Sequence, residues 1–476
     1  MTPRNIIGDV HAIEGKIHAP DERFDLVVVG AGLAGTEAAI AAARAGDNVL
    51  LIDENPVPGS LIGSDVPYFF GGRATAAVQQ QGRMVEQLFA TNPRLEEAFE
   101  AGVDVRLGTV AWGLYVNGPA MRALPEPMLG VADAERAQMI GFDRLVLATG
   151  ARDVVLGFAG WNQPGVMGAQ GFAALLTRYD SFAGQRIIVV GSDRLGLETA
   201  LLAVEHGVEV AAIVEVADAV QGPLDLAERV AAAAIPVLTG TTIAAAAGGA
   251  DGVERVRLAR LADDSLSEIA CDTVVLAIGV QPATELLSAA DAVPGGAITL
   301  IGSCAQALAP EAERLMAWAE ALGRHASDDV IVCQCEEVTR ADIIGVQPPR
   351  YLDRPERMAA RSLATLIADG PPHPDQIKRL TRAGMGQCQG RRCREQVRCL
   401  LAKADGVSLD QIPVASFRAP VRPVPLGVLA DWDERYDMAA GWDVWFGIPT
   451  QWTPYAAIGT SEEADHVSGL GGNMHV

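Results

Sequence analysis

The chain has 476 residues, enough for about three domains, and about half of them are apolar, as in compact α/β enzymes. Its formal net charge of −23 opposes binding to nucleic acid or to anionic membranes, so no nucleic-acid partner is expected. No apolar run reaches transmembrane length, and the first residues lack the apolar segment of a signal peptide. We therefore expect a cytoplasmic protein.

A strand, a glycine-rich turn, a helix and a second strand follow one another in residues 25–54. The turn has the GxGxxG spacing of a dinucleotide-binding βαβ unit. Its first glycine permits the tight turn, the second lets the backbone approach a pyrophosphate, and the third lets the helix pack on the strand. The helix N-terminus offers free N–H groups to the phosphates. The nucleotide-binding residues predicted in this turn are Gly30, Gly32, Leu33, Ala34 and Gly35.

The second strand of this unit ends in two acids, Asp53 and Glu54. A carboxylate at this place accepts hydrogen bonds from the ribose hydroxyls of an adenine dinucleotide. We assign that role to Asp53, with Glu54 as the alternative. A glycine-rich turn in an α/β domain with an empty site would give the same motif. The strand, helix and acid in register favour a nucleotide site.

Residues 142–150 form a predicted buried strand that ends in Ala-Thr-Gly. On physical grounds alone, this is a strand followed by a tight turn. The stretch resembles a strand of two-domain flavoprotein reductases, in which the Thr-Gly turn passes near the cofactor. This resemblance makes Thr149 and Gly150 candidate cofactor residues. Residues 271–279 repeat the pattern and are expected to carry the chain back to the first domain.

A second βαβ unit has its first strand at residues 186–190 and its turn at residues 191–196. Asp193 replaces the middle glycine of the fingerprint. A carboxylate at that place crowds and repels a pyrophosphate, so we expect the fold without its nucleotide. A working NAD(P) domain is the less favoured alternative.

Residues 297–303 resemble the last strand of the first domain of such flavoproteins, and Gly302 is a candidate cofactor residue. In those proteins an Asp follows this glycine and binds the ribityl chain of FAD, whereas this chain has Ser303. Gly59-Ser60 likewise stands where two glycines are usual. The first site is therefore expected to bind FAD or another adenine nucleotide.

Four of the seven cysteines form two close pairs, one Cys-x-Cys and one Cys-x4-Cys. Four thiolates in two pairs suit a zinc ion or a [2Fe–2S] cluster, and unligated thiols are a third alternative. Neighbouring arginines and glycines favour the cluster, because they offset its charge and turn backbone N–H groups toward its sulfurs. Cys271, Cys304 and Cys399 are predicted to pack in the core. The candidate metal ligands are Cys333, Cys335, Cys388 and Cys393.

The cysteine motifs at residues 333–339 and 381–393 resemble the small [2Fe–2S] domain of bacterioferritin-associated ferredoxin. Together with residues 417–427, they more specifically resemble the larger subunit of opine oxidases and the equivalent subunit of hydrogen cyanide synthase. Subunits of heterotetrameric sarcosine oxidase and dye-linked proline dehydrogenase share the two nucleotide-binding domains. The resemblance covers residues 21–430 and implies that the four paired cysteines ligate a cluster.

These elements and the resemblance predict an α/β fold with two Rossmann-like domains, the second nested in the first as in glutathione reductase, plus a small, mainly helical [2Fe–2S] domain. The predicted divisions are an N-terminal arm (1–20), an FAD or nucleotide domain (21–160 and 281–326), a second Rossmann domain (161–280), the [2Fe–2S] domain (327–405) and a C-terminal tail (406–476) that packs on the core or on a partner.

The resemblance implies an electron-transfer subunit of a hetero-oligomeric, flavin-dependent amine or amino-acid dehydrogenase. A smaller partner subunit would carry the substrate-facing FAD, and the [2Fe–2S] centre would pass electrons to a quinone or another carrier. The same resemblance allows FMN at a subunit interface, a further small subunit, and a position peripheral to the inner membrane through the acceptor.

Two other functions fit the sequence. A self-contained NAD(P)H-dependent reductase would use both nucleotide domains and the cluster, although Asp193 speaks against it. A non-catalytic scaffold would hold a structural nucleotide in the first site and zinc on the cysteines.

Overall fold

The structure is a computed structural model that describes residues 19–56, 73–118, 124–306, 310–354, 356, 360–430 and 461. The chain divides into two compact units, Met1–Val424 and Pro425–Val476. Most of the predicted N-terminal arm, the Gly59-Ser60 pair and nearly all of the predicted tail beyond residue 430 lie outside the described residues.

The first sheet carries the predicted nucleotide site. Its seven strands are β1 (Glu22–Val29), β2 (Val49–Asp53), β3 (Asp104–Leu107), β4 (Val110–Tyr115), β5 (Met128–Ala132), β6 (Ala137–Leu147) and β17 (Ile298–Leu300). They lie in the order β3-β2-β1-β6-β5-β4, and β17 also pairs with β6. Strands β1, β2, β3, β6 and β17 pair in parallel, whereas β4 and β5 are antiparallel to their neighbours. Because β1, β2 and β6 are parallel, their carboxyl ends lie on the same side of the sheet, where a nucleotide binds in such folds.

Three helices accompany this sheet: α1 (Leu33–Arg44), α2 (Gln81–Thr91) and α3 (Arg94–Glu100). Helix α1 packs on β1, β2 and α3 through its small buried residues. The Asn92-Pro93 sequence separates α2 from α3, because proline cannot continue the helix before it. The Asn92 side chain donates hydrogen bonds to Ala31 O at 3.0 Å and to Thr36 Oγ1 at 3.1 Å. These bonds tie the α2–α3 corner to the glycine turn.

Between β6 and β17 the chain forms a second sheet of five parallel strands. These strands are β8 (Val166–Gly168), β9 (Arg186–Val190), β10 (Glu209–Val214), β11 (Val237–Leu238) and β15 (Thr273–Leu276), in the order β11-β10-β9-β15-β8. The accompanying helices are α4 (Ala169–Ala173), α5 (Arg194–Glu205) and α6 (Leu224–Ala232). The second Rossmann-like fold is therefore nested in the first, and the predicted fold class is confirmed.

Two small antiparallel sheets complete this region. Strands β7 (Ala151–Asp153) and β16 (Val280–Pro282) pair where the chain leaves the first sheet and returns to it. Strands β12 (Thr241–Gly249), β13 (Gly252–Arg260) and β14 (Leu266–Ala270) form a separate three-stranded sheet. The pairing of β7 with β16 holds the two crossings between the larger sheets side by side.

The rest of the described first unit is mainly helical. Its elements are α7 (Glu285–Ala290), α8 (Ala312–Gly323), β18 (Ile331–Cys333), β19 (Val338–Thr339), α9 (Arg340–Ile344), α10 (Leu363–Asp369), α11 (Pro374–Thr381) and α12 (Arg394–Asp405). Helix α12 packs against α8, α10 and α11. Residues 406–424 continue within the first unit, and α13 (Leu426–Ala430) belongs to the second. In the described part of the chain, no helix has the length and hydropathy of a membrane-spanning segment.

Candidate functional site

The glycine turn after β1 leaves the N-terminus of α1 open. Gly30 has a φ of 109°, and a Cβ there would lie 2.3 Å from Ala148 O, so only glycine fits this close approach. Gly32 is the N-cap of α1, makes no side-chain cap and would place a Cβ in open space. A Cβ on Gly35 would lie 1.9 Å from Gly30 O. The three glycines therefore have different roles, and Gly32 is the one that leaves room for a ligand.

Asp53 lies against this turn at the end of β2. Its Oδ2 accepts a hydrogen bond from Ala31 N at 2.6 Å, and its Oδ1 accepts from Asn55 N and Asn55 Nδ2, both at 2.8 Å. These bonds hold a carboxylate beside the helix N-terminus, where the sequence assigns the ribose-binding acid.

Glu54, the alternative acid, faces a different partner. Its carboxylate forms an ion pair with the guanidinium of Arg422, from the segment that follows α12. Burial raises the pKa of Glu54, and the positive charge of Arg422 opposes that rise. The structure thus separates the two acids, with Asp53 at the glycine turn and Glu54 paired with a distant arginine.

A cavity of about 270 Å³ opens beside the turn. Its wall contains six of the residues predicted to bind a cofactor, together with Ser303: Gly30, Gly32, Asp53, Glu54, Thr149 and Gly150. Thr149 Oγ1 donates a hydrogen bond to Ala283 O at 2.6 Å, which closes the turn after β6 onto the loop before α7. The local sequence motifs therefore converge on one space.

The other predicted cofactor residues lie around the first turn of α1. Leu33 lines an adjoining cavity of about 210 Å³, which shares Gly32 and Asp53 with the first. Gly302 lies beside Ala34, since a Cβ on Gly302 would be 3.3 Å from the Cβ of Ala34. Together the two cavities have the volume of a small-molecule site.

The second βαβ unit is closed at the corresponding point. Asp193 is the N-cap of α5, and its Oδ1 accepts a hydrogen bond from Gly196 N at 3.1 Å. Glu215, wholly buried after β10, accepts from Ser192 N at 2.9 Å and Ser192 Oγ at 2.7 Å. Arg314 of α8 pairs with Glu215 at 3.2 Å. Burial raises the pKa of Asp193, although the bond to Gly196 N opposes the rise. The Asp193 carboxylate therefore occupies the place of a phosphate at the N-terminus of α5.

The four candidate metal ligands come together as two pairs. Cys333 ends β18, Cys335 lies in the turn that follows, Cys388 lies in a loop, and Cys393 is the N-cap of α12. A hydrogen bond from Cys393 lowers the pKa of the Cys333 thiol, and one from Cys335 lowers the pKa of Cys388 to about 6. Among the described residues, no three His, Cys, Asp or Glu side chains are arranged to hold a single metal ion.

The surroundings of the cysteines suit a negatively charged group. Gly384 N donates to Cys333 Sγ at 3.4 Å, and a Cβ on Gly386 would lie 2.4 Å from the Cβ of Cys335. The buried Arg394 next to Cys393 has two N–H groups, Nε and Nη1, without a hydrogen-bond partner among the described residues. Burial lowers the pKa of Arg394 to about 10. This buried cation fits a site that gains negative charge when it is loaded.

The three remaining cysteines are buried, in agreement with the core role predicted for them. Cys304 lies 3.0 Å from Leu147 O, and burial raises the pKa of Cys271 and of Cys399 to about 12. The thiols of Cys271 and Cys399 therefore stay protonated at neutral pH, which makes them poor ligands.

A family model for pyridine nucleotide-disulphide oxidoreductases matches residues 24–300. The chain belongs to this family. A second model, for the sarcosine oxidase A3 domain, matches residues 348–432 and so includes two of the four paired cysteines, Cys388 and Cys393. Membership in this oxidoreductase family implies a nucleotide-binding domain in the region that holds the glycine turn.

Relatives of this oxidoreductase extend over most of the chain. An opine oxidase subunit of Agrobacterium tumefaciens (strain Ach5) is 26% identical, covering 86% of this chain and 91% of that protein. The alpha subunit of sarcosine oxidase from Rhizobium meliloti (strain 1021) is 28% identical over 85% of this chain, but the chain spans only 42% of that protein. The solved structure of L-proline dehydrogenase from P. horikoshii has a TM-score of 0.52 at 17% identity, covering 87% of this chain and 81% of that one. The resemblance to opine oxidase and sarcosine oxidase subunits inferred from the sequence is confirmed.

Several residues of the cavity wall could not be assigned to this cavity from the sequence. The cavity wall also contains Arg152, Arg178, Glu285, Arg391 and Arg422. Arg391 lies between Cys388 and Cys393, so the cysteine loop forms part of the wall of the nucleotide cavity. The sequence does not show which distant segments meet. Only the fold brings these five residues together.

Proposed function

We propose that the chain is the electron-transfer subunit of a flavin-dependent dehydrogenase that oxidises the C–N bond of an amine or amino acid. FAD would bind in the first βαβ unit and a [2Fe–2S] cluster on the four paired cysteines. A smaller flavoprotein subunit would take the hydride from the substrate, and this chain would pass electrons to a quinone or another carrier. The observation that carries the proposal is the position of Arg391, which joins the cysteine loop to the wall of the nucleotide cavity.

The nucleotide part of the proposal rests on the open helix. Among the described residues no side chain caps α1, and no acid lies in its first turn, so its N–H groups and the positive end of its dipole are available for phosphates. Asp53 is held beside them by Ala31 N. The residues present therefore fit an adenine dinucleotide.

The proposal of a [2Fe–2S] cluster rests on the number and pairing of the cysteine thiols. Four thiols in two pairs match the ligand demand of two irons. A glycine N–H directed at Cys333 and the Nε and Nη1 groups of Arg394, which have no hydrogen-bond partner in the described part of the chain, would stabilise the negative charge of a loaded site. A zinc scaffold would need the four sulfurs around one point.

The closed second unit argues against a self-contained NAD(P)H reductase. A pyrophosphate there would have to displace the Asp193 carboxylate and lie close to the buried Glu215. Two like charges about 4 Å apart repel by about 4 kcal/mol at the effective dielectric of a protein surface. Electrons are therefore expected to arrive from another subunit.

When bound, the flavin and the cluster would supply two-electron and one-electron redox chemistry. The chain's own residues bind and orient. Gly32 and the first turn of α1 would hold phosphates, and Asp53 would accept the ribose hydroxyls. Gly384 N–H and Arg394 would stabilise thiolate charge, which favours reduction of the centre.

The test is anaerobic reduction of the chain, alone and co-expressed with a smaller flavoprotein subunit, by sarcosine, proline and an opine. Absorbance bands of flavin and [2Fe–2S] should bleach only when the subunit is present. In a Cys388→Ser variant the flavin should bleach without the cluster signal, whereas Cys399→Ser, on a buried thiol of α12, should behave as wild type. Reduction of the isolated chain by NADH would support the reductase instead, and an iron-free, zinc-containing protein would support the scaffold.

A further inference from the structure

One buried guanidinium touches both candidate sites. Arg152, on β7, donates to Glu395 Oε1 at 2.7 Å and Oε2 at 3.2 Å, to Glu285 Oε1 at 3.1 Å, and to Arg391 O at 2.9 Å. Its side chain is 6% exposed, and those of Glu285 and Glu395 are 10% and 5% exposed. These three side chains form a buried ion triad in the interior of the first unit, and every nitrogen of the Arg152 guanidinium donates at least one hydrogen bond.

The partners of Arg152 belong to the two parts of the proposed machinery, the cysteine segment and the wall of the nucleotide cavity. Glu395 is the second residue of α12, close behind the ligand Cys393. Glu285 begins α7, two residues beyond Ala283, which Thr149 binds. Arg391 lies between two paired cysteines. Arg152 itself follows the Thr149-Gly150 turn and lines the 270 Å³ cavity.

Such a triad does more to fix a position than to add stability. Buried ion pairs roughly break even against apolar side chains of similar volume, because desolvation offsets the attraction. Their bonds are directional, and losing one partner leaves an uncompensated charge. The geometry of the triad therefore selects one register between β7, α7 and α12. A ligand that shifts one of these elements would therefore also shift the others, because Arg152 bonds all three together.

We propose that Arg152 is a positioning residue that couples the nucleotide cavity to the cysteine-bearing helix α12, so that occupation of the cavity orders the cluster ligands. This inference rests on the proposed function only in taking FAD as the occupant of the cavity. Coupling between sites in one protein is commonly about 5–150-fold.

The experiment measures hydrogen exchange of α12 amides in the full chain, with FAD removed and then restored to saturation. In the wild-type chain, FAD should slow exchange in α12 about tenfold. Arg152→Met should abolish this FAD-dependent slowing, and Arg152→Lys should restore part of it. The matched control is Arg106→Met, which removes another arginine that pairs with two acids, Glu22 and Asp104, on the first sheet. It should leave the slowing intact.

The ratio of the α12 exchange rates without and with FAD separates coupling from stability, because a destabilised fold exchanges faster in both states. If Arg152→Met does not fold or does not bind FAD, Glu395→Gln decides, since Glu395 does not line the cavity and Gln accepts through one oxygen instead of two. Loss of the slowing in Glu395→Gln supports the proposal, and undiminished slowing in the variant that folds overturns it. Failure of the wild-type chain to bind FAD would contradict the proposed function, whereas FAD binding without slowing in α12 would contradict this inference alone.

Discussion

The two βαβ units of the chain have the same backbone at the helix N-terminus and opposite chemistry. Gly32 has φ −70° and ψ 175°, and Asp193 has φ −74° and ψ −173°, so both residues are N-caps in nearly the same conformation. Gly32 leaves the N–H groups of α1 open onto a cavity, whereas the Asp193 carboxylate binds Gly196 N of its own helix. One side chain separates an open anion site from a filled one.

The acids at the ends of the second strands differ in the same way. Asp53 borders a cavity and accepts hydrogen bonds from N–H groups of Ala31 and Asn55. Glu215 is wholly buried, binds Ser192 and pairs with Arg314 from a helix outside the unit. A fold can therefore be kept while its ligand is replaced by internal contacts, since function belongs to the site rather than to the fold.

The largest expected effect comes from giving the first unit the acid of the second. Gly32→Asp should weaken FAD binding by at least about 100-fold, or about 2.7 kcal/mol, because its carboxylate would fill the helix N-terminus and repel the pyrophosphate. The fold should survive, since a Cβ at Gly32 meets nothing within 4 Å. Titration of the apoprotein with FAD measures the change. Gly32→Asn adds similar bulk without charge and should lose less, and equal losses in the two variants would show that charge is not the cause.

Removing the partner of the buried acid should come next in size. Arg314→Met leaves the Glu215 carboxylate buried without its cation, which should cost about 3 kcal/mol of unfolding free energy. Urea unfolding followed by circular dichroism measures it. The control Arg106→Met breaks two ion pairs whose acids, Glu22 and Asp104, are partly exposed, and it should cost less, about 1 kcal/mol. Equal stabilities of the two variants would mean that Arg314 does not hold the second site closed.

The smallest expected effect is a gain. Asp193→Gly should free Gly196 N and raise the affinity for NADH or ADP-ribose about tenfold, because a full charge leaves the phosphate position. Fluorescence titration with NADH measures it. Asp193→Asn keeps the side chain at the cap and should gain less. Unchanged binding in Asp193→Gly would assign the closure to Glu215 and Ser192 instead.

Much of the fold and part of the site could be predicted from short-range sequence patterns. The glycine turn, the acid at Asp53 and the Thr149-Gly150 turn could be predicted because each has a local motif, and all of them line one cavity. The repulsive effect expected of Asp193 could likewise be predicted from charge alone.

The rest depends on contacts between distant residues. Arg152 and Glu395 are 243 positions apart, and Glu54 and Arg422 are 368 apart. No periodicity or spacing relates such residues, because their meeting depends on how the nested sheets and the cysteine segment pack. For the same reason, the sequence did not reveal that Arg391 borders the nucleotide cavity or that Arg314 closes the second unit.

The proposed electron-transfer role is tested by the content of flavin, iron and acid-labile sulfide per chain in anaerobically purified protein, together with its electron paramagnetic resonance spectrum after reduction. We expect one FAD, about two irons and about two sulfides per chain, with the signal of a reduced [2Fe–2S] cluster that Cys388→Ser abolishes. A chain that carries zinc, no iron and no flavin would contradict it.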